Sequence, residues 1–310
     1  KKADEIIRIK LKQTKRYNQL HNKGLTESEI MKELKKTVKT TLFDWSFRNN
    51  RKEVEISPYD SVKYAEKILK SGMISIEPQT GFVKVWVGGP NYRNFKYDYA
   101  VKSQRQVGST IKPFAYAIAI RDGITTPCTS YPNIEYCIDV KKGIFSDSWC
   151  PSDKFDGIST PVYCALAGSK NNITAKLIKE SGGNNKQLVE LLNSIGIDNN
   201  SIEAIPSLAL GVCQMSVLEM TSAQTIFANG GVHVSPTSVL RIEDRSGKIL
   251  YEAKADVKEV LDSETSYEVL KMLKGTVKGA KRPEDDKVFG TARRLTYNKP
   301  YGNITFECAG

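Results

Sequence analysis

The chain has 310 residues, 40% hydrophobic and 26% charged, with 46 Lys and Arg against 35 Asp and Glu for a net charge of +11. That is length for two ordinary domains or one large one, with apolar content enough for a core, which excludes wholesale disorder. The longest apolar run, Phe114–Ile120, falls far short of the roughly 18 residues a membrane span needs. There are two histidines, His21 in a lysine-rich stretch and His233 just after Gly230-Gly231. Neither position suits a Ser-His-Asp or Cys-His mechanism, and a His-rich zinc site is excluded. The charge is uneven. Residues 1–55 hold 15 Lys and Arg against 8 Asp and Glu, and the other 255 hold 31 against 27. A solvated helical face or linker accounts for this, with attraction to an anionic surface as the functional alternative. No aromatic interleaving or zinc spacing points to nucleic acid. No signal peptide and no methionine open the chain, which reads as a fragment or mature segment.

Residues 1–55 read as helices and a linker. Thr26-Glu-Ser-Glu29 has the capping-box pattern and leads into Ile30, Leu34 and Val38 at helical spacing. Residues 50–60 are polar around Pro58, a domain boundary. A helix is expected over 61–71. Met73–Glu77 and Phe82–Val87 flank Pro78-Gln-Thr-Gly81 as a hairpin, and 90–107 is a polar and aromatic loop. A helix then runs from near Ser109 to Asp122-Gly123, and 124–168, with four prolines, is irregular. Helices follow near 172–181 and 186–195, the latter with Leu188, Leu191, Leu192 and Ile195 in one stripe. Ser216-Val-Leu-Glu219 caps another helix that Asn229-Gly230-Gly231 ends. Ser238–Glu243 and Lys248–Glu252 form a second hairpin, 263–277 is helical and 279–303 is a polar loop. There is no internal repeat.

Among the six cysteines there is no C-x-x-C. Cys128, Cys137 and Cys150 share a loop-like stretch where an oxidising compartment would allow a disulfide, whereas Cys164 and Cys213 sit among apolar neighbours as buried thiols.

The chemistry concentrates in Arg105-Gln-Val-Gly108-Ser109-Thr-Ile-Lys112-Pro113-Phe114. Residues three apart share a helix face, so a helix starting here lets the Lys112 amine reach the Ser109 hydroxyl. Serine is a poor nucleophile until a base takes its proton. A lysine does so only when desolvation or neighbouring cations lower its pKa. Pro113 is tolerated only in the first turn, which puts Ser109 at the helix start, where free N–H groups suit a developing oxyanion. Of the chain's 25 serines only Ser109 has lysine three residues on. The plain alternative is a capped helix with a surface lysine. Ser169-Lys170-Asn171, the only S-x-N, lies 60 residues after Ser109. Its plain alternative is an N-cap; its functional reading is a proton-relaying hydroxyl and an amide that orients a substrate carbonyl.

R-Q-x-G-S-x-x-K-P-F followed by S-x-N resembles the transpeptidase domain of penicillin-binding proteins. Ser75–Gly81 leading to Val87-Gly88-Gly89, and the stretch from Leu208 through Glu219 to Gly230-Gly231, are similar to the same family. Residues 15–60 resemble the region joining glycosyltransferase and transpeptidase domains in its bifunctional class A members. The resemblance implies an α+β fold of the penicillin-binding protein/β-lactamase type: an antiparallel sheet flanked by helices, beside a mainly helical subdomain. It implies a helical linker region over 1–58 and a transpeptidase domain over 59–310. In that family Ser109 would be the acylated nucleophile, Lys112 its base, Ser169 the proton relay and Asn171 a substrate-amide ligand. The family's third motif, K-[ST]-G, belongs on a strand after these; the only K-S-G here, Lys70-Ser71-Gly72, precedes Ser109 and reads as a helix-to-strand junction. The 310 residues therefore read as a piece cut at both ends, incomplete at the C-terminus. The implied function is cross-linking of peptidoglycan stem peptides ending in D-Ala-D-Ala, with β-lactams as covalent inhibitors. No cofactor, metal or nucleic acid is implied. The implied location is the periplasmic face of the bacterial inner membrane, anchored by a segment outside this sequence. The competing readings are a D,D-carboxypeptidase or β-lactamase with water as acceptor, and a non-catalytic peptidoglycan-binding relative.

Overall fold

The structure, a computed structural model, describes residues 2–142, 145–182, 185–197, 202–293 and 295. The chain divides into two compact units, Lys1–Ser71 with Gly89–Tyr97, and Gly72–Gly88 with Asp98–Gly310.

In the first unit, α1 (Lys2–Lys12), α2 (Lys15–Asn22) and α3 (Glu27–Leu34) are short, and each turns an apolar stripe inward. Ile7, Leu11, Tyr17, Ile30 and Leu34 form a small core. The capping box at Thr26 is made in both directions with Glu29. The helix stops at Leu34, and β1 (Val38–Phe43) pairs antiparallel with β2 (Arg51–Ile56). This corrects the helical expectation for Val38 and the linker expectation for this stretch. Val38, Thr40 and Thr41 are β-branched and alternate residues of β1 are half-buried, so a period of two prevails over the i, i+4 spacing. Pro58 opens a helix: Ser57 caps α4 (Pro58–Lys67), with Pro58 in its first turn. The helix expected over 61–71 thus begins three residues earlier. Lys70 of the K-S-G sequence pairs with Glu66, 3.1 Å away.

The second unit begins with β3 (Met73–Ile76) and β4 (Val83–Val87), the expected hairpin. Next come β5 (Arg105–Gln106), a 3-10 turn over Gly108–Ile111, and α5 (Lys112–Arg121). Every residue from Lys112 to Ala119 is buried, as an apolar run on all faces requires. Within 124–168, expected to be irregular, β6 (Ser130–Pro132) pairs with β9 (Ser159–Pro161), and β7 (Ile138–Lys142) with β8 (Phe145–Trp149) between them. Then follow α6 (Val162–Ala167), α7 (Asn171–Glu180), α8 (Lys186–Ser194), a 3-10 turn over Pro206–Leu210 and β10 (Gln214–Met215), which pairs with β5. The elements α6, α7, α8 and α10 (Ser263–Lys278) pack around α5. Ser216 and Glu219 cap α9 (Val217–Ala228) as a full capping box. Strand β11 (Val232–Val234) pairs with β14 (Val257–Glu259), enclosing the hairpin of β12 (Arg241–Glu243) and β13 (Ile249–Glu252). After α10, the polar stretch read as loop holds a small hairpin, β15 (Ala280–Lys281) and β16 (Val288–Phe289); residues 296–303 of it lie outside the described residues. Among the described residues the strands pair in twos, each pair antiparallel, and helices supply the core.

Cys137 and Cys150 are disulfide-bonded across the base of the β7–β8 hairpin, one step beyond the Ile138–Trp149 pair. Cys128 is a free, exposed thiol, and Cys164 and Cys213 are buried thiols as expected. No helix of the described residues is long and apolar enough to cross a membrane.

Candidate active site

The chain ahead of Ser109 is laid against the segment ahead of α9. Strand β5 pairs with β10, the Val107 N–H donates to the Cys213 carbonyl and the Gly108 N–H to the Gly211 carbonyl, each at 3.1 Å. Two glycines make this crossing. Both have positive φ, 56° at Gly108 and 80° at Gly211, and a Cβ on Gly211 would lie 1.9 Å from the Gly108 oxygen. Ser109 then sits in the 3-10 turn with its side chain exposed. Gln224 of α9 donates to the Thr110 carbonyl at 2.8 Å, fixing the turn from the other side.

Lys112 is the first residue of α5, followed by Pro113 as the motif requires. Its side chain is 1% exposed, a deep burial for an ammonium group. The amine donates to the Ser169 carbonyl at 2.7 Å, to Ser169 Oγ at 3.0 Å and to Asn171 Oδ1 at 2.6 Å. Three donors meet three acceptors, and all three belong to S-x-N. Burial pushes the Lys112 pKa down from 10.5 to about 8; Asp153 opposes that shift and Lys170 reinforces it. Desolvation and a neighbouring cation are the two conditions under which a lysine can serve as a base near neutral pH. No hydrogen bond joins Lys112 Nζ to Ser109 Oγ; the amine is aimed at Ser169 and Asn171.

Ser169 follows the end of α6 with φ of 54°, a conformation L-residues seldom adopt. Its N–H donates to the Leu166 carbonyl and that of Lys170 to the Ala165 carbonyl. Asn171 opens α7: its N–H donates to Asp153 Oδ2 at 2.5 Å and its Nδ2 to the Ser152 carbonyl at 2.9 Å. Ser109, Lys112 and Ser169 line one cleft of about 460 Å³, together with Thr110, Met220, Gln224, Thr276 and Thr291. Asn171 stands behind that lining.

Asp153 gave no sequence signal, since only folding brings the 152–154 segment against α7. Ser222 and His233, whose Oγ and Nε2 lie 2.9 Å apart, are both buried and do not line the cleft.

Residues 1–69 match the penicillin-binding protein middle domain, and residues 72–294 match the penicillin binding protein transpeptidase domain. Penicillin-binding protein 2D of Bacillus subtilis (strain 168) is 34% identical over 213 residues, 67% of this chain and 30% of that protein. Penicillin-binding protein 1A of Aquifex aeolicus is 31% identical over 230 residues, 74% of this chain and 29% of that protein. The chain thus spans less than a third of these relatives. Among solved structures, penicillin-binding protein 1A from Haemophilus influenzae superposes with a TM-score of 0.66 at 24% identity, over 81% of this chain and 40% of that one. Penicillin binding protein 3 from Mycobacterium tuberculosis, complexed with ampicillin, gives 0.53 at 20% identity, over 68% of this chain and 52% of that one. At such identities the two structures speak for the fold. With more than two thirds of its residues matched by the family's transpeptidase domain, this chain belongs to the penicillin-binding protein transpeptidase family.

Proposed function

We propose that this chain carries the acyl-transfer site of a peptidoglycan D,D-transpeptidase. The observation that carries the reading is the Lys112 amine: buried, partly discharged near neutral pH, and sharing one cleft with two serines. A fall in pKa from 10.5 to about 8 raises the neutral fraction at pH 7 roughly 300-fold. Ser109 Oγ attacks the carbonyl of the penultimate D-Ala, and its proton passes by way of the Ser169 hydroxyl to Lys112. Of the three groups on the amine, only the Ser169 hydroxyl both donates and accepts. When the amine is neutral, its two N–H groups stay on the Ser169 carbonyl and Asn171 Oδ1, and Ser169 Oγ–H donates to the nitrogen lone pair. That arrangement supports Ser169 as the relay returning the proton to the departing D-Ala nitrogen. Asn171, whose amide is tied to Lys112 and the Ser152 carbonyl, holds the base and offers the substrate amide a partner as the cleft fills. The acyl-enzyme is then resolved by the amine of a neighbouring stem peptide, and β-lactams stop the reaction at the acyl stage.

The Cys137–Cys150 disulfide supports an oxidising, extracytoplasmic location, which in a bacterium with two membranes is the periplasmic face of the inner membrane. The test is labelling of the intact protein with a fluorescent penicillin. Covalent labelling, mapped by mass spectrometry to Ser109 and abolished by S109A, is expected; an unlabelled wild type refutes the reading.

A further inference from the structure

We propose, resting on the transpeptidase reading and deepening it, that Asp153 and Lys170 form a charged pair of positioning residues that holds the Ser169–Asn171 turn, and through it the Lys112 amine, in place for proton transfer. Neither residue lines the cleft. Both are withdrawn from water, the side chains being 7% exposed for Lys170 and 12% for Asp153, with Nζ and Oδ1 3.3 Å apart. Lys170 Nζ also donates to the Lys154 carbonyl at 2.6 Å. Asp153 Oδ2 takes the Asn171 N–H, and the Ser152 carbonyl takes the Asn171 side-chain amide. Three consecutive residues, Ser152, Asp153 and Lys154, thus grip the two residues that follow Ser169. A grip is needed, because Ser169 sits at a φ of 54° that its surroundings must enforce. The same turn provides all three acceptors of the Lys112 amine.

The gripping segment is itself fixed at both ends. Cys150 is tied to Cys137, and Asp156 takes two N–H groups from Arg282, a fully buried guanidinium. The charged groups that bear on the Lys112 amine are Asp153, which favours the ammonium form, and Lys170, which disfavours it. The other polar groups the amine meets, the Ser169 carbonyl and hydroxyl and the Asn171 side-chain oxygen, carry no charge. The pair therefore acts on the amine in opposite senses, which separates its role from mere support of the fold.

The experiment is the acylation rate of the intact protein with a fluorescent penicillin as a function of pH, for wild type, D153N and K170M. The wild-type rate rises with pH as Lys112 loses its proton. In D153N, which keeps an oxygen for the Asn171 N–H, this limb moves to lower pH by about half a unit or more, and the plateau rate falls about 10-fold. In K170M the limb moves to higher pH. Opposite shifts support the proposal; limbs that stay in place, or move the same way, overturn it. Should D153N fail to fold, the direction of the K170M shift decides alone. A wild type that is not acylated at any pH removes the transpeptidase reading itself, a result distinct from labelled variants with unmoved limbs.

Discussion

Replacing Lys112 by methionine separates the thermodynamics of the buried amine from the chemistry it performs. Methionine keeps an unbranched, flexible chain of similar bulk but carries no charge. In the wild type the amine titrates near pH 8 when folded, and close to 10.5 once the chain unfolds and burial is relieved. Below pH 8 both states hold the proton, and the folded state bears the full penalty of the buried cation. Between 8 and 10.5 the unfolded chain binds more protons than the folded one, so wild-type stability rises with pH; above 10.5 the penalty is gone. The difference of about 2.5 units corresponds to about 3 kcal/mol across that window, of which about 2 kcal/mol falls below pH 9.5. Every other titrating group is common to both proteins and drops out of the comparison. Urea unfolding of wild type and K112M at pH 7 and pH 9.5 therefore gives a stability difference that moves about 2 kcal/mol in favour of the wild type at the higher pH. K112M also loses penicillin acylation at both pH values. A stability difference that is the same at pH 7 and pH 9.5 would refute a lysine discharged by burial, and with it the base assigned to Ser109.

Two further outcomes follow from the framework around the cleft. In G211A the new Cβ meets the Gly108 oxygen at 1.9 Å and the backbone is held at φ of 80°, so the turn bearing Ser109 must move; acylation falls about 10²-fold and the protein loses at least about 1 kcal/mol, read by labelling kinetics and thermal melting. In R282M the carboxylates of Asp156 and Asp285 lose a buried guanidinium, which is also removed from Thr160 Oγ1 at 2.8 Å. Arg282 holds the Asp156 carboxyl far below the usual carboxylate range. The wild type therefore weakens relative to R282M only as pH falls below the ordinary aspartate value near 4, while at neutral pH the variant is less stable by about 3 kcal/mol in urea unfolding.

What could be read from the sequence was what is decided locally. The capping boxes at Thr26 and Ser216 lie within four residues each, and the apolar run behind Pro113 announces a helix buried on all sides. The β1–β2 hairpin escaped because Val38 happens to extend the stripe of Ile30 and Leu34, and the pairing that overrides it needs Arg51–Ile56. In 124–168, β6 and β9 are three residues each and pair across the hairpin that lies between them in the chain, so neither is long enough to show a period of its own. The candidate site divides the same way. The identities of Ser109, Lys112, Ser169 and Asn171 stand out in the sequence, whereas the direction of the amine does not. Spacing brings Lys112 to Ser109, but a buried ammonium needs three acceptors, and these come from residues 57 and 59 positions further on. Asp153 was invisible for the same reason.

The Cys137–Cys150 bond leads straight into the segment that grips the S-x-N turn, and Cys128, exposed and unpaired, lies only nine residues before Cys137. Oxidative maturation thus has wrong pairings to discard, 128 with 137 and 128 with 150 among them, before the hairpin locks. Protein made in a reducing cytosol, or stored with a thiol reductant, would carry this hairpin open. The fraction of molecules competent to react with a β-lactam would then report the redox history of the preparation as much as the quality of its fold.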